Sequence, residues 1–154
     1  MDDDSDEDVN QRTDVKEWCQ CANCSNMDKF RERVCCIDLE RCQQKMSDAT
    51  TRYGMEKPFT CITQHPGFDL ICLHWEPLEL AWSEYKRQYG RAAYDNGSDN
   101  KRYRHIAYRQ LAKFLFGVVG REIRYVLPSC AVNKIRETFP PLPNEEITGF
   151  KFHE

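Results

Sequence analysis

The sequence predicts a mainly α-helical fold, a small compact helical domain with a cysteine-rich segment organised by a dinuclear zinc cluster. Three observations lead to this prediction. Apolar side chains recur every three or four residues in the second half of the chain, as on amphipathic helices. Proline and glycine punctuate those repeats. Finally, six of the nine cysteines of this 154-residue chain lie between Trp18 and Cys42.

The chain divides into a charged start and one domain. Between residues 1 and 14, seven acidic side chains stand against Arg12 alone, so this stretch repels itself and has little to bury. We therefore expect a disordered acidic tail at 1–14 and a single domain at 15–154. In that domain we expect little regular structure in the cysteine-rich segment 18–42. The polar composition of Gln43–Lys57 predicts a mobile loop.

Four helices are predicted after this loop. Pro66 suits a first helical turn, and Pro77 argues for a break shortly after it. Gly90 and Gly117 are expected to end two helices, and Pro128 can start a last one. The predicted helices are 66–72, 76–89, 100 to about 117, and 128–136.

The cysteines outnumber the ligands that one tetrahedral zinc ion takes. Cys19, Cys21, Cys24 and the adjacent pair Cys35 and Cys36 place five thiols within 18 residues. In a reducing compartment such a segment is more often metal-binding than disulfide-bonded, and an odd total cannot pair completely. Two zinc ions are therefore indicated, and with six thiolates two of the sulfurs would have to bridge.

The remaining cysteines lie outside this run. Cys130 falls in the first turn of the last predicted helix, where backbone amides stabilise a thiolate, so it is a candidate distant ligand. Cys72 lies between Ile71 and Leu73 and is expected in the core. Cys42 stands among polar residues and is either a spare thiol or a substitute ligand.

Charge and hydropathy restrict the function classes. Residues 101–137 carry nine basic side chains against two acids, a concentration suited to phosphate groups. No apolar run approaches the length of a membrane helix and no secretory signal is visible, so we expect a cytoplasmic chain without membrane insertion. Nor is a nucleophile elbow or phosphate loop evident, which argues against an enzyme.

A set of short motifs, in this order, resembles a known family. The chain is similar to the cytoplasmic C-terminal "ballast" domain of the ATP-gated purinergic receptor channel, subtype seven, and it looks like a freestanding relative without the channel. The motifs that carry the resemblance, across residues 18–151, are Trp18-Cys-x-Cys-x-x-Cys24, Cys35-Cys36, Cys61-Ile62-Thr63, Arg104-His105-x-Ala107-Tyr108-Arg109, Leu127-Pro128-Ser129-Cys130, Ile135-Arg136-x-x-Phe139-Pro140 and Gly149-Phe150-Lys151.

The resemblance implies a dinuclear zinc site and a guanine-nucleotide site. The zinc ligands that it implies are Cys19, Cys21, Cys24, Cys35, Cys36, Cys61 and Cys130. For GDP or GTP it implies Arg104, His105 and Tyr108 near the phosphates, with Tyr125 and Leu127 near the base. Val132 and Pro141 stand where the family has basic residues, so two phosphate partners are absent.

The leading prediction is a noncatalytic, cytoplasmic zinc-binding module that takes a protein partner or a guanine nucleotide. The alternative is a zinc-dependent nucleic-acid-binding module that uses the basic segment 101–137 and its interleaved aromatic residues.

Overall fold

The computed structural model describes residues 14–27, 29–90, 98–117 and 125–147. Nearly all of the predicted acidic tail lies outside these residues. The described part is mainly helical, as the sequence predicts. Its α-helices are α1 (Val15–Trp18), α2 (Glu40–Arg52), α3 (Pro66–Cys72), α4 (Trp75–Tyr89), α5 (Asp99–Phe116) and α6 (Ser129–Thr138), with short 3₁₀ turns at Phe30–Glu32, Cys36–Asp38 and Ile62–Gln64.

The four predicted helices are confirmed as α3 to α6, and their ends follow local chemistry. Pro66 occupies the first turn of α3, where its missing N–H costs nothing. The Ser98 hydroxyl caps α5 by accepting the Lys101 N–H at 3.2 Å. Gly90 and Gly117 end α4 and α5 at φ values of 98° and 87°, which side chains with a Cβ rarely adopt.

The prediction of a mobile loop at Gln43–Lys57 is wrong, because most of this stretch belongs to α2. Cys42, Met46 and Ala49 are its buried residues, and their spacing of four and three places them on one helical face. The other positions of α2 are polar, which is why composition indicated a loop. The helix ends near Gly54, whose φ is 64°.

Helix α5 is the centre of the packing. It contacts α2, α3, α4 and α6, and its buried residues include Ile106, Ala107, Leu111 and Leu115. Helix α6 packs on α5 and also against the 3₁₀ turns that follow Cys35 and Cys61. The arrangement therefore brings the cysteine-rich segment and the last helix to the same side of the core. Among the described residues, no helix has both the length and the apolar character needed to cross a bilayer.

Candidate metal centre

The first part of the site is a tight turn built by Cys21 and Cys24. Ala22 lies in the left-handed region at φ 69°, a strained position for a residue with a Cβ. The turn brings the Cys21 Sγ to 3.7 Å from the Cys24 Sγ and 3.9 Å from the Cys19 Sγ. The Asn23 side chain donates to the Cys21 carbonyl at 3.1 Å, which supports the turn.

The second part joins distant segments of the chain. Cys36 lies in a 3₁₀ turn, Cys61 precedes another, and Cys130 is the second residue of α6. The start of α6 is held against the cysteine-rich segment because Ser129 donates its N–H to the Val34 carbonyl and its hydroxyl to the Ser25 carbonyl, both at 2.8 Å. The position of Cys130 is thus fixed by hydrogen bonds of its neighbour Ser129 across about a hundred residues of sequence.

Seven sulfurs form two groups that could each hold a metal ion. Within each group the sulfur atoms all lie within 4.8 Å of one another, and Cys21 belongs to both. The groups are Cys19, Cys21, Cys24 and Cys35, and then Cys21, Cys36, Cys61 and Cys130. The structure thereby brings together every cysteine that the sequence and the resemblance selected, and it identifies Cys21 as the shared one.

The sulfur spacing fits tetrahedral coordination. A tetrahedral ion with metal–sulfur bonds of about 2.3 Å, typical of zinc, places its sulfurs about 3.8 Å apart. The two separations at Cys21, 3.7 and 3.9 Å, agree with this length. Seven sulfurs with one shared supply eight coordination places, which is what two tetrahedral ions require. One bridging sulfur suffices here, instead of the two needed by a six-thiolate cluster.

Protons are unequally shared in the second group. Hydrogen bonding with Cys130 lowers the pKa of Cys21 to about 5, and it lowers the pKa of Cys61 as well. The same hydrogen bonds raise the pKa of Cys130. A cluster in which some sulfurs are thiolates beside neutral thiols is one in which a cation can replace the shared protons.

Backbone and hydroxyl groups donate hydrogen bonds to the sulfurs, while burial still raises the pKa of Cys35 to about 12. The Gln20 N–H donates to the Cys35 Sγ at 3.3 Å and the Ile62 N–H donates to the Cys36 Sγ at 3.4 Å. The Thr63 Oγ1 lies 3.0 Å from the Cys61 Sγ in a further hydrogen bond. Such donors offset negative charge on sulfur and orient the ligand atoms.

The other two described cysteines have a different environment. Cys42 and Cys72 are fully buried in the core and belong to neither group. Burial raises the pKa of Cys42 to about 12 and also raises the pKa of Cys72, so both stay neutral thiols. Cys42 is therefore a core residue on α2, and the expectation for Cys72 is confirmed.

The residues implied by the resemblance to bind a nucleotide contact different parts of the structure. Arg104 is buried; its Nη1 donates to the Phe139 carbonyl at 2.8 Å and its Nη2 lies 3.1 Å from the Glu145 Oε2. Tyr108, one turn later, accepts a hydrogen bond from the Arg136 Nε at 3.1 Å. These two side chains therefore lie on the side of α5 that faces α6 and the chain after it.

His105 faces another helix. Its ring meets the Tyr85 ring of α4 edge-on, with centroids 5.4 Å apart. Burial, and then the charge of Arg109, lower the pKa of His105 to about 4, so the imidazole is neutral at pH 7. Near the other end of α5, Tyr125 stacks on Phe116 with centroids 4.3 Å apart, while Leu127 is buried.

Glu145 is the functional candidate that sequence reasoning missed. Its carboxylate accepts from the Ser98 hydroxyl at 3.0 Å and from the Leu142 N–H at 3.0 Å, in addition to pairing with Arg104. Hydrogen bonding from the Leu142 N–H is the main cause that lowers the pKa of Glu145. The residue lies 41 positions after Arg104, and no local pattern marks it.

Two of the described basic side chains in segment 101–137 are not available at the surface. Arg104 and Arg109 are buried, and the Arg109 guanidinium lies over the Tyr85 ring, 4.8 Å from its centroid. Arg121 and Arg124 lie outside the described residues. The described part of the segment therefore presents a weaker basic face than its composition indicates.

Comparison with known proteins agrees with the resemblance. Residues 2–151 match the family model of the P2X purinoreceptor 7 intracellular domain. The P2X purinoceptor 7 of Rattus norvegicus is 31% identical over 144 residues, covering 90% of this chain and 20% of the relative. For the P2X purinoceptor 7 of Mus musculus, the identity is 30% over 146 residues, with the same coverage of 90% and 20%. The chain spans a fifth of the length of these curated relatives.

Proposed function

The chain belongs to the P2X purinoreceptor 7 intracellular domain family, and on this premise we propose that it is a noncatalytic, cytoplasmic zinc-binding module. The seven clustered cysteines would hold two zinc ions, with Cys21 common to both groups. The observation that carries the proposal is the pair of four-sulfur groups that share this one residue. All-thiolate ligation with no open position is typical of structural zinc and leaves no place for a catalytic water.

The zinc ions would connect parts of the chain that are far apart in sequence. One group joins residues 19–35, and the other joins Cys21 to Cys61 and to Cys130 on α6. Since α1 and the nearby 3₁₀ turns are short, the cysteine-rich segment has little regular structure to hold it in place. Zinc binding thus contributes folding free energy to the segment.

Cobalt substitution tests this proposal. Under reducing conditions, Co²⁺ added to the metal-free protein should give the visible bands of tetrahedral thiolate-bound cobalt and saturate at about two equivalents per chain. The Cys42→Ala variant is the matched control, because Cys42 is buried but belongs to neither group. Weak bands of octahedral cobalt, or no saturation in folded protein, would contradict the proposal.

Guanine-nucleotide binding is a second proposal, favoured by the surroundings of Glu145. Three donors, the Arg104 guanidinium, the Ser98 hydroxyl and the Leu142 N–H, converge on its carboxylate. A phosphate of GDP or GTP would use the same donors, with Tyr108 on the same side of α5. In this arrangement Glu145 competes with the nucleotide, and His105, Tyr125 and Leu127 have at most a supporting part.

Calorimetry with GDP tests this second proposal. Glu145→Gln removes the competing charge and should tighten GDP binding several-fold, while Glu146→Gln, at an exposed neighbouring carboxylate, should leave the affinity as in wild type. Circular dichroism checks that both variants are folded. If neither the wild type nor Glu145→Gln gives heat with millimolar GDP, the nucleotide proposal is rejected.

Binding of a protein partner completes the proposed role. Leu70 and Trp75, at the junction of α3 and α4, are 61% and 65% exposed, and Leu80 on α4 is 74% exposed. Exposed large apolar side chains favour contact with another protein over contact with a phosphate backbone. The buried arginines of segment 101–137 also reduce the support for the nucleic-acid alternative.

A further inference from the structure

A pocket lies between α2 and α5, and none of the clustered cysteines lines it. Its volume is about 170 Å³, and its walls come from α2, from the residue that precedes α3, and from the C-terminal half of α5. A cavity of about 150 Å³ is large enough for benzene, so the space suits a ligand with a single ring. Neither the zinc-binding proposal nor the nucleotide proposal uses this pocket.

Helix α2 supplies one wall with charged side chains. Lys45, Asp48, Ala49 and Arg52 line the pocket, and their spacing of three, four and seven residues places them on one face of the helix. The lining therefore has two cations and one carboxylate. Ala49 is buried beneath them, so the wall is polar at its rim and apolar at its base.

Aromatic rings make the floor. His65 is 8% exposed, and its ring meets the Phe114 ring edge-on with centroids 5.1 Å apart. The Lys45 Nζ lies over the Phe114 ring, 4.6 Å from its centroid. Gly67 allows this close packing, because a Cβ there would lie 3.1 Å from ring carbons of both His65 and Phe114.

His65, which lines the pocket, carries its ring proton on Nε2. Its Nδ1 accepts the Gly67 N–H at 2.9 Å, so in the neutral tautomer the proton is on Nε2. Burial, followed by the charge of Lys45, lowers the pKa of His65, which favours that neutral form at pH 7. The Nε2–H, the Lys45 ammonium and the Arg52 guanidinium are all groups that bind an anion.

We propose that this pocket binds a small planar aromatic anion, with its ring against the apolar floor and its carboxylate drawn to Lys45 and Arg52 at the rim. The single ring follows from the volume, and the negative charge follows from the excess of cationic and N–H groups. Asp48 lies between the two cations on α2 and weakens their attraction for a carboxylate, so the site disfavours ligands with more than one negative charge.

Benzoate is the probe for this site, titrated at millimolar concentration into the ¹⁵N-labelled, zinc-loaded full chain. The amides of Ala49, Gly67 and Phe114 should shift and saturate. Arg52→Ala should weaken benzoate binding by about threefold or more, while Asp48→Asn should tighten it, since the first variant removes attraction and the second removes repulsion. Arg87→Ala, at an exposed arginine of α4 outside the pocket, should leave the affinity unchanged.

Related probes separate charge from shape. Benzylamine has the same ring with a cationic group and should shift the same amides much less than benzoate. Acetate has the carboxylate without the ring and should also bind more weakly. Equal shifts with benzoate and benzylamine, equal affinities of the Arg52→Ala and Asp48→Asn variants, or benzoate shifts that avoid Ala49 and Phe114 would each overturn the proposal.

Discussion

Truncation of two buried cysteines to alanine separates metal ligation from packing. Cys130 and Cys42 are 1% and 0% exposed, both lie on helices, and each loses the same sulfur atom in the substitution. Of these two cysteines, Cys130 belongs to a four-sulfur group and Cys42 does not. The stability difference between Cys130→Ala and Cys42→Ala therefore reports the metal and little else.

The expected magnitudes differ clearly. Removing one buried sulfur without repacking should cost about 1 kcal/mol in either variant. Cys130 also closes a loop of about 110 residues with Cys21 through the metal, and a cross-link of that span contributes about 5 kcal/mol in the chain-entropy model. Since three sulfurs of the group remain in Cys130→Ala, we expect an excess cost of about 3 kcal/mol, which corresponds to a melting temperature about 6–12 °C lower.

Urea unfolding of both variants, with zinc and a reducing agent present, measures this difference. Repeating it with a strong chelator should remove the difference, because without metal both substitutions delete only a buried sulfur. Equal unfolding free energies of the two variants in zinc, or a gap that persists in chelator, would refute the reasoning.

Two further predictions concern metal content and pH. Elemental analysis should find less zinc in Cys21→Ala than in Cys24→Ala, because Cys21 serves both groups and Cys24 only one; equal zinc content in the two variants would argue against a shared sulfur. The unfolded chain takes up a proton at His105 near pH 6.5, whereas the folded chain does so only near pH 4, so the stability from neutral His105 is lost as the pH falls between these values. The unfolding free energy of His105→Phe, measured between pH 4 and 6.5, should depend less on pH than that of the wild type. An equal pH dependence of the two proteins would count against a role of His105 in it.

The helices predicted from the sequence are those with both an apolar repeat and a terminal signal. Pro66, Gly90 and Gly117 mark ends of α3, α4 and α5 through backbone chemistry that is local to each position. Helix α2 lacks such a signal at its start. Its N-cap, Leu39, makes no side-chain cap, and its three buried residues are too few to outweigh the polar majority.

The candidate site was predictable to the extent that it is local in sequence. The spacing of Cys19 to Cys36 indicates two metal ions, but only the fold shows that Cys21 can serve both groups. Cys61 follows from the family resemblance, since its neighbours in sequence carry no ligand pattern. The pairing of Arg104 with Glu145 depends on the path of the chain after α6, which sequence spacing does not determine.

Native mass spectrometry of the chain, purified without added metal under reducing conditions, tests the central claim most directly. The proposed function predicts a folded protein with a mass excess of two zinc ions per chain. A second spectrum after acid denaturation should show the metal-free mass with nine free thiols. A folded protein that carries no metal, or whose cysteines are joined in disulfides, would contradict the claim.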